Sequence, residues 1–80
     1  MEKHVVIAKI NAVLADEFEV DMDVITSSSY IKKSLQLDSM GLVDMVELIE
    51  ENFGVTFKES DVTNIQTFDA LYDFVHQNML

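Results

Sequence analysis

The residue best placed for chemistry in this chain is Ser39, which follows Asp38 at the predicted start of a helix. Unpaired backbone N–H groups and the positive end of the helix dipole favour a phosphate group at such a position. The segment Leu35-Gln36-Leu37-Asp38-Ser39-Met40 is therefore compatible with a phosphodiester on the Ser39 hydroxyl. An Asp-Ser pair that only caps a helix fits these few residues equally well.

Two other kinds of site fit the sequence poorly. A serine hydrolase would need a glycine where Leu37 stands, and the chain has only two histidines that could act as the base. A calcium loop that begins at Asp21 would need a glycine at its sixth position and a glutamate at its twelfth, where Thr26 and Lys32 stand. The sequence therefore predicts no catalytic residue and no metal site.

A row of acidic residues follows Ser39 on the same predicted helix, and no basic residue occurs between positions 38 and 52: the acids are Asp44, Glu47, Glu50 and Glu51. Asp44, Glu47 and Glu51 are spaced by three and four residues, which puts them on one helical face. Like charges so close together cost helix stability, and ordinary solvated faces mix both signs. The row is better explained as a docking surface for basic partner proteins.

Helical periodicity predicts the elements that position these residues. Apolar residues at spacings of three and four predict a first helix over Lys3 to Phe18. Residues 19–37 lack this periodicity, which predicts a long loop anchored to the core by apolar side chains. Asp38 is a good N-cap for a second helix that runs to about Asn52 and stops at Gly54. Its apolar positions are Leu42, Val43, Val46, Ile49 and Phe53.

After Gly54, the residues from Lys58 to Asp61 can open one short helical turn, and Thr67 can cap a last helix. Phe68, Leu71, Tyr72 and Val75 give that helix an apolar face. The predicted fold class is all-α, a four-helix bundle of three main helices and one short helix. We expect residues 1–80 to form a single domain.

Composition limits the function. Eighty residues, of which 49% are hydrophobic, can fill one core but cannot also enclose a deep, dry catalytic cavity. A net charge of -10 repels nucleic acids and anionic lipids, so we expect protein partners and a monomer. The chain has no cysteine and no apolar run of ~20 residues that could span a bilayer, which favours a cytoplasmic protein without disulfides.

Taken together, these residues resemble the acyl or peptidyl carrier protein family, whose signature is Asp-Ser-Leu or Asp-Ser-Met at the head of the second helix. Asp38-Ser39-Met40 matches that signature, and the register continues through Glu50-Glu51-Asn52-Phe53-Gly54-Val55 to Thr67 without a gap. About half of the chain, from Leu35 to Val75, shows the likeness.

The resemblance implies that a transferase attaches 4'-phosphopantetheine, taken from coenzyme A, to Ser39. The thiol of this arm would hold acyl or aminoacyl groups as thioesters for acyl-loading, condensing and modifying enzymes, and the protein itself would catalyse nothing. The resemblance also implies a recognition helix for the phosphopantetheinyl transferase and these enzymes, formed by Asp38, Met40, Asp44, Met45, Glu47, Glu50 and Glu51. Met45 has a second interpretation, as a residue that fills the core.

Several positions depart from the commonest bacterial fatty-acid pattern. Gln36 replaces the usual glycine, which predicts a differently built turn before Asp38, and Gly41 stands where an acid is frequent. Ser34 replaces an aspartate, and Lys32 and Lys33 add positive charge to a loop that is often acidic. These differences suggest a carrier dedicated to one pathway. The competing hypothesis is a small acidic adaptor that binds a basic partner through the second helix and has no covalent cofactor.

Overall fold

The chain is all-helical in the computed structural model, which describes residues 2–79. The helices are α1 (Lys3–Phe18), α2 (Ile31–Leu35), α3 (Ser39–Phe53), α4 (Glu59–Asn64) and α5 (Phe68–Asn78), with a 3-10 turn at Met22–Val24. The prediction of three main helices and one short helix is confirmed, and α2 adds a second short helix within the expected loop. Over this range no helix is long and apolar enough to cross a membrane.

The ends of α3 and α5 lie where local sequence signals predict them. Asp38 is extended and caps α3, and Gly54 ends it with a positive φ of 69° while donating its N–H to the Glu50 carbonyl at 2.9 Å. Only a residue without a Cβ adopts this left-handed conformation at little cost. Thr67 caps α5, because its hydroxyl oxygen accepts the Ala70 N–H at 3.3 Å. These caps fix both ends of α3 and the start of α5.

The core is a single cluster of apolar side chains from α1, α2, α3 and α5. The residues with essentially no exposed surface are Val6, Ile10, Leu14, Ile31, Met45, Ile49, Phe68, Leu71, Tyr72 and Val75. Burying one such aliphatic or aromatic side chain contributes about 1.5–3 kcal/mol. The core therefore fixes α3, and with it the segment around Ser39, against the rest of the fold.

The segment between α1 and α3 is attached to the start of α5 by backbone hydrogen bonds as well as by side chains. The Ile31 N–H donates to the Gln66 carbonyl and the Asp69 N–H donates to the Ser27 carbonyl, both at 2.9 Å. Ile25, Ile31 and Leu35 are buried and Leu37 packs against the core, which confirms the predicted anchoring at these positions. Val24 and Tyr30 are exposed and do not contribute to it. As a result α2 and the entry to α3 are held in place.

Polar contacts also join α1 to α5. The Tyr72 hydroxyl donates a hydrogen bond to Asn11 Oδ1 at 2.5 Å, and burial raises the pKa of the Tyr72 phenol. Lys3 forms an ion pair with Asp73 at the surface of the same pair of helices. A bonded, buried hydroxyl satisfies its hydrogen-bonding need inside the core, so it costs little to bury. These contacts join α1 to α5, and both helices share one apolar core with α3.

Candidate functional site

Ser39 is the first residue of α3, and its side chain is exposed. The preceding Asp38 caps the helix through its side chain, whose Oδ1 accepts the Gly41 N–H at 2.7 Å. The N–H groups of Ser39 and Met40 belong to the first turn, which has no intrahelical acceptor for them. The hydroxyl therefore lies at the positive end of a fifteen-residue helix, where a phosphate ester is favoured.

The turn before this helix is built as a glycine would build it, although it contains Gln36. This residue has φ 56° and ψ 48°, in the left-handed region, and its N–H donates to the Lys32 carbonyl. The prediction that glutamine would produce a different turn is therefore wrong. Gln36 ends α2 in this left-handed conformation, which a residue with a side chain adopts at an energetic cost.

We expect the Gln36→Gly variant to be more stable than the wild type by up to about 1 kcal/mol, because glycine removes the strain of a left-handed side-chain residue. Urea denaturation followed by circular dichroism measures the difference. The matched control is Lys33→Gly, the same kind of change within α2, which should destabilise the protein by about 1 kcal/mol. A lower stability for Gln36→Gly would contradict this account of the turn.

Gly41 has a packing role in the first turn of α3. A Cβ at this position would lie 3.1 Å from Leu37 Cδ2 and 3.3 Å from Asp38 Oδ1, which is tighter than ordinary contact. Any side chain there would push against the carboxylate that caps the helix. The glycine therefore keeps the cap and the position of Ser39 undisturbed, at the cost of a weaker helix propensity.

Two exposed apolar side chains flank Ser39 on α3. Met40 is 78% exposed and Val43 is 51% exposed. Val43 was predicted to belong to the apolar face of the helix, and this prediction is wrong. It lies four residues after Ser39 and therefore shares its solvent-facing side. Exposed methionine and valine beside the candidate attachment point form an apolar contact surface.

Met45 is a core residue and not a surface residue. Its side chain is 1% exposed and packs in the same cluster as Val46 and Ile49. The prediction that Met45 contacts partner proteins is therefore wrong. Its other interpretation, as a methionine that fills the core, is confirmed. Its spacing from Leu42 and Ile49, three and four residues, is the spacing of the buried face.

Three of the four predicted docking acids lie together on the surface. Asp44, Glu47 and Glu51 are exposed on α3 and line a groove of about 290 Å³ between α3 and the end of α1. From α1 the groove receives Glu17 and Phe18, which the sequence analysis did not include. We call the four carboxylates Asp44, Glu47, Glu51 and Glu17 the acidic surface. No local pattern in the sequence brings the end of α1 beside α3, because that proximity depends on the tertiary fold.

Glu50 behaves differently from the acidic surface. Its side chain is half-buried, and its Oε2 accepts the Phe57 N–H at 2.9 Å. Phe57 in turn stacks on Phe74 of α5 with ring centroids 4.5 Å apart. The carboxylate thus holds the connection between α3 and α4 in place, so we do not assign Glu50 to the docking surface.

The segment that forms this site matches the model of a known protein family. Residues 8–75 match the model of the family described as the phosphopantetheine attachment site. The match includes α2, α3 and α4 completely, and therefore Ser39 and the acids that follow it. The residues present also fit such a group, because an exposed hydroxyl stands at the start of α3 beside N–H groups without intrahelical acceptors.

Known proteins of similar length show the same likeness. The chain is 33% identical to the acyl carrier protein of Lactobacillus acidophilus over 75 residues, which are 94% of each chain. It is 24% identical to that of Thermosynechococcus vestitus over 79 residues, covering 99% of this chain and 98% of the relative. Among solved structures, the acyl carrier protein of Enterococcus faecalis superimposes with a TM-score of 0.79 at 27% identity, covering 98% of this chain and 99% of the other.

Proposed function

This chain belongs to the acyl carrier protein family, and we propose that Ser39 is the residue to which its prosthetic arm is attached. As a member of that family the protein is a carrier and not an enzyme. Its cofactor is a covalent 4'-phosphopantetheine. When attached, this arm supplies the thiol that holds acyl groups as thioesters, a group that a chain without cysteine cannot supply itself.

One observation supports Ser39 above all others: an exposed hydroxyl at the first residue of α3, within the matched segment 8–75. The serines of the loop, Ser27, Ser28 and Ser29, do not begin a helix. Ser60 stands in the first turn of α4, which has only six residues and a correspondingly weaker dipole. Ser39 therefore combines accessibility with the strongest local preference for a phosphate.

The attachment is a phosphoryl-transfer reaction in which Ser39 is the nucleophile. Its Oγ forms a bond to the phosphorus that bears pantetheine in coenzyme A, and the phosphoanhydride bond breaks. Adenosine bisphosphate leaves, and a base of the transferase takes the hydroxyl proton. The chain contributes the positive end of α3, where the N–H groups of Ser39 and Met40 would stabilise the charge of the phosphodiester. The cap by Asp38 keeps the hydroxyl at that end of the helix.

Membership of the family implies interaction with a phosphopantetheinyl transferase and with biosynthetic enzymes. We propose that these partners dock through basic residues on the acidic surface, and that Met40 and Val43 contact apolar residues of the same partners. The support is charge complementarity, since α3 has no basic residue to neutralise its acids. Acyl-loading, condensing and modifying enzymes would share this surface in turn.

We further propose that residues 1–80 act as one carrier domain and as a monomer. The support for one domain is that the buried residues of α1, α2, α3 and α5 belong to one core cluster. The support for a monomer is the mutual repulsion of chains with a net charge of -10. The cytoplasmic location stays a prediction from the sequence.

The test of the function is covalent loading. We expect the protein to gain the mass of one phosphopantetheine group when it is incubated with coenzyme A and a broad-specificity phosphopantetheinyl transferase, because Ser39 is accessible at the start of α3 and the acidic surface lies on the same helix. Intact-protein mass spectrometry measures the gain. An unchanged mass after full activity of the same transferase on a known carrier would favour the acidic adaptor.

A further inference from the structure

The segment between α1 and α3 differs in charge from the rest of the chain. Residues 24–37 contain Lys32 and Lys33 and no acidic residue, and all fifteen acids lie before or after this segment. Both lysines are exposed on α2, and within the part of the chain that the structure describes neither forms an ion pair. A chain with a net charge of -10 therefore presents two adjacent cations that no carboxylate of its own neutralises.

The exposed face of α2 is held in one orientation by the core. Ile31 and Leu35 are 1% and 5% exposed, and their spacing of four residues turns the two lysines between them to the solvent. Tyr30 precedes the helix and is 59% exposed, although its backbone pairs with that of the residue before α5. We call Tyr30, Lys32 and Lys33 the basic surface. Because its backbone is already ordered, a partner that binds there loses little entropy in ordering it.

The basic surface and the acidic surface lie on different sides of α3. Ile31 lines the same cavity as Leu42, so α2 lies on the Leu42 side of the helix. Asp44 and Glu47 follow Leu42 by two and five residues, which turns them away from that side and toward the end of α1. Ser39 is exposed at the start of α3 and points between these two directions. A protein that reaches Ser39 can therefore contact both surfaces at once.

We propose that the basic surface binds a cluster of aspartate and glutamate side chains on the same partner enzymes that dock basic residues on the acidic surface. This inference rests on the proposed function, since it requires those enzymes to dock beside Ser39. Two contacts of opposite sign fix the orientation of an enzyme on α3. They also select among partners, because a uniformly basic docking surface is repelled by Lys32 and Lys33. A second copy of this chain is a poor occupant, because its net charge of -10 repels the first.

The test uses two capped synthetic peptides as probes. Each has four lysines and then six glycines, and one ends in four glutamates where the other ends in four glutamines. Six glycines span up to about 20 Å, which is enough on a molecule of 30 × 26 × 21 Å. We expect the glutamate peptide to bind the wild-type protein about fivefold more tightly at low salt, because its second half adds weak ion pairs with the basic surface.

Net charge alone predicts the reverse order of affinities. The glutamine peptide is the more positive of the two, and the chain is strongly negative, so a general field favours the glutamine peptide. Titrations followed by amide chemical shifts measure both affinities and locate the contacts. The glutamate peptide should shift the amides of α2, and the glutamine peptide should leave them unchanged.

Matched double variants separate the basic surface from lysines in general. Lys32→Gln with Lys33→Gln should abolish the preference for the glutamate peptide. Lys9→Gln with Lys58→Gln removes the same charge at exposed positions in α1 and just before α4, and should preserve the preference. Equal affinities of the two peptides for the wild type, or an equal loss of preference in both double variants, would overturn the inference.

The glutamine peptide tests the docking part of the proposed function separately. Its lysines should shift the amides of Asp44, Glu47 and Glu51 whether or not the basic surface has a partner. If neither peptide shifts those amides, docking on the acidic surface fails and the inference fails with it. If both peptides shift them and neither affects α2, the acidic surface keeps its role and the basic surface is rejected alone.

Discussion

Ser39→Ala protein should gain no mass when it is incubated with coenzyme A and the transferase, under conditions in which the wild type is loaded to completion. The expected effect is a total loss, because the substitution removes the only atom to which the arm is bonded. The helix should persist, since alanine has a high helix propensity and Asp38 still provides the cap. An unchanged circular dichroism spectrum together with an unchanged mass would show that loading is lost because the hydroxyl is missing and not because the protein is unfolded.

The control is Ser60→Ala, which removes an exposed serine from the first turn of another helix, α4. This variant should load at the wild-type rate. Peptide mapping of the loaded wild type should find the added mass on the peptide that contains Ser39. If Ser39→Ala were loaded as readily as the wild type, the attachment site would lie at another serine or threonine and the present assignment would be wrong.

The elements that the sequence predicted correctly are those whose signals are local. Asp38, Gly54 and Thr67 mark helix ends by their own backbone and side-chain chemistry, and the structure has a cap at each of the three. A cap acts within one turn of the chain, so neighbouring residues suffice to identify it. The placement of Ser39 at the start of a helix followed from Asp38 for the same reason.

The short helix α2 was missed because its stability does not come from its own sequence. Five residues are too few for a helix that is stable alone, and α2 has no side-chain cap. It is held by the burial of Ile31 and Leu35 and by the bond from the Ile31 N–H to the Gln66 carbonyl. These contacts join segments far apart in sequence, and periodicity within one segment does not reveal them.

Within α3 the error was one of helical phase. Leu42, Met45, Ile49 and Phe53 follow one another at spacings of three and four, which is the pattern of a buried face. This spacing favours the core-filling interpretation of Met45, which the structure confirms. The same phase turns Val43 outward beside Ser39, where it is half exposed. Glu17 could not be assigned in this way, since only packing of α1 on α3 brings it to the acidic surface.

The second large effect is expected on the rate of loading when charges of the acidic surface are reversed. We expect the double variant Asp44→Lys with Glu47→Lys to lower kcat/KM for loading by about thirtyfold, which corresponds to ~1 kcal/mol for each reversed charge at an exposed interface. Both side chains are exposed on α3, so reversal replaces attraction to a basic partner by repulsion while the core stays intact. Steady-state loading kinetics at several salt concentrations measure the effect. The wild-type rate should fall as salt rises, because screening acts beyond ~10 Å at ordinary ionic strength.

A second double variant distinguishes a specific surface from net charge alone. Asp23→Lys with Glu59→Lys changes the charge of the chain by the same amount, at exposed positions outside α3 and the groove. If docking depends on the acidic surface, this variant should load within about threefold of the wild type, as expected for screened charges remote from the contact. Equal slowing by both double variants would mean that the transferase responds only to the overall field of the protein.

The groove also contains Glu17, which belongs to α1. If α1 contributes to the docking surface, Glu17→Lys alone should slow loading by about fivefold. A wild-type loading rate for this variant would mean that partners dock on α3 alone.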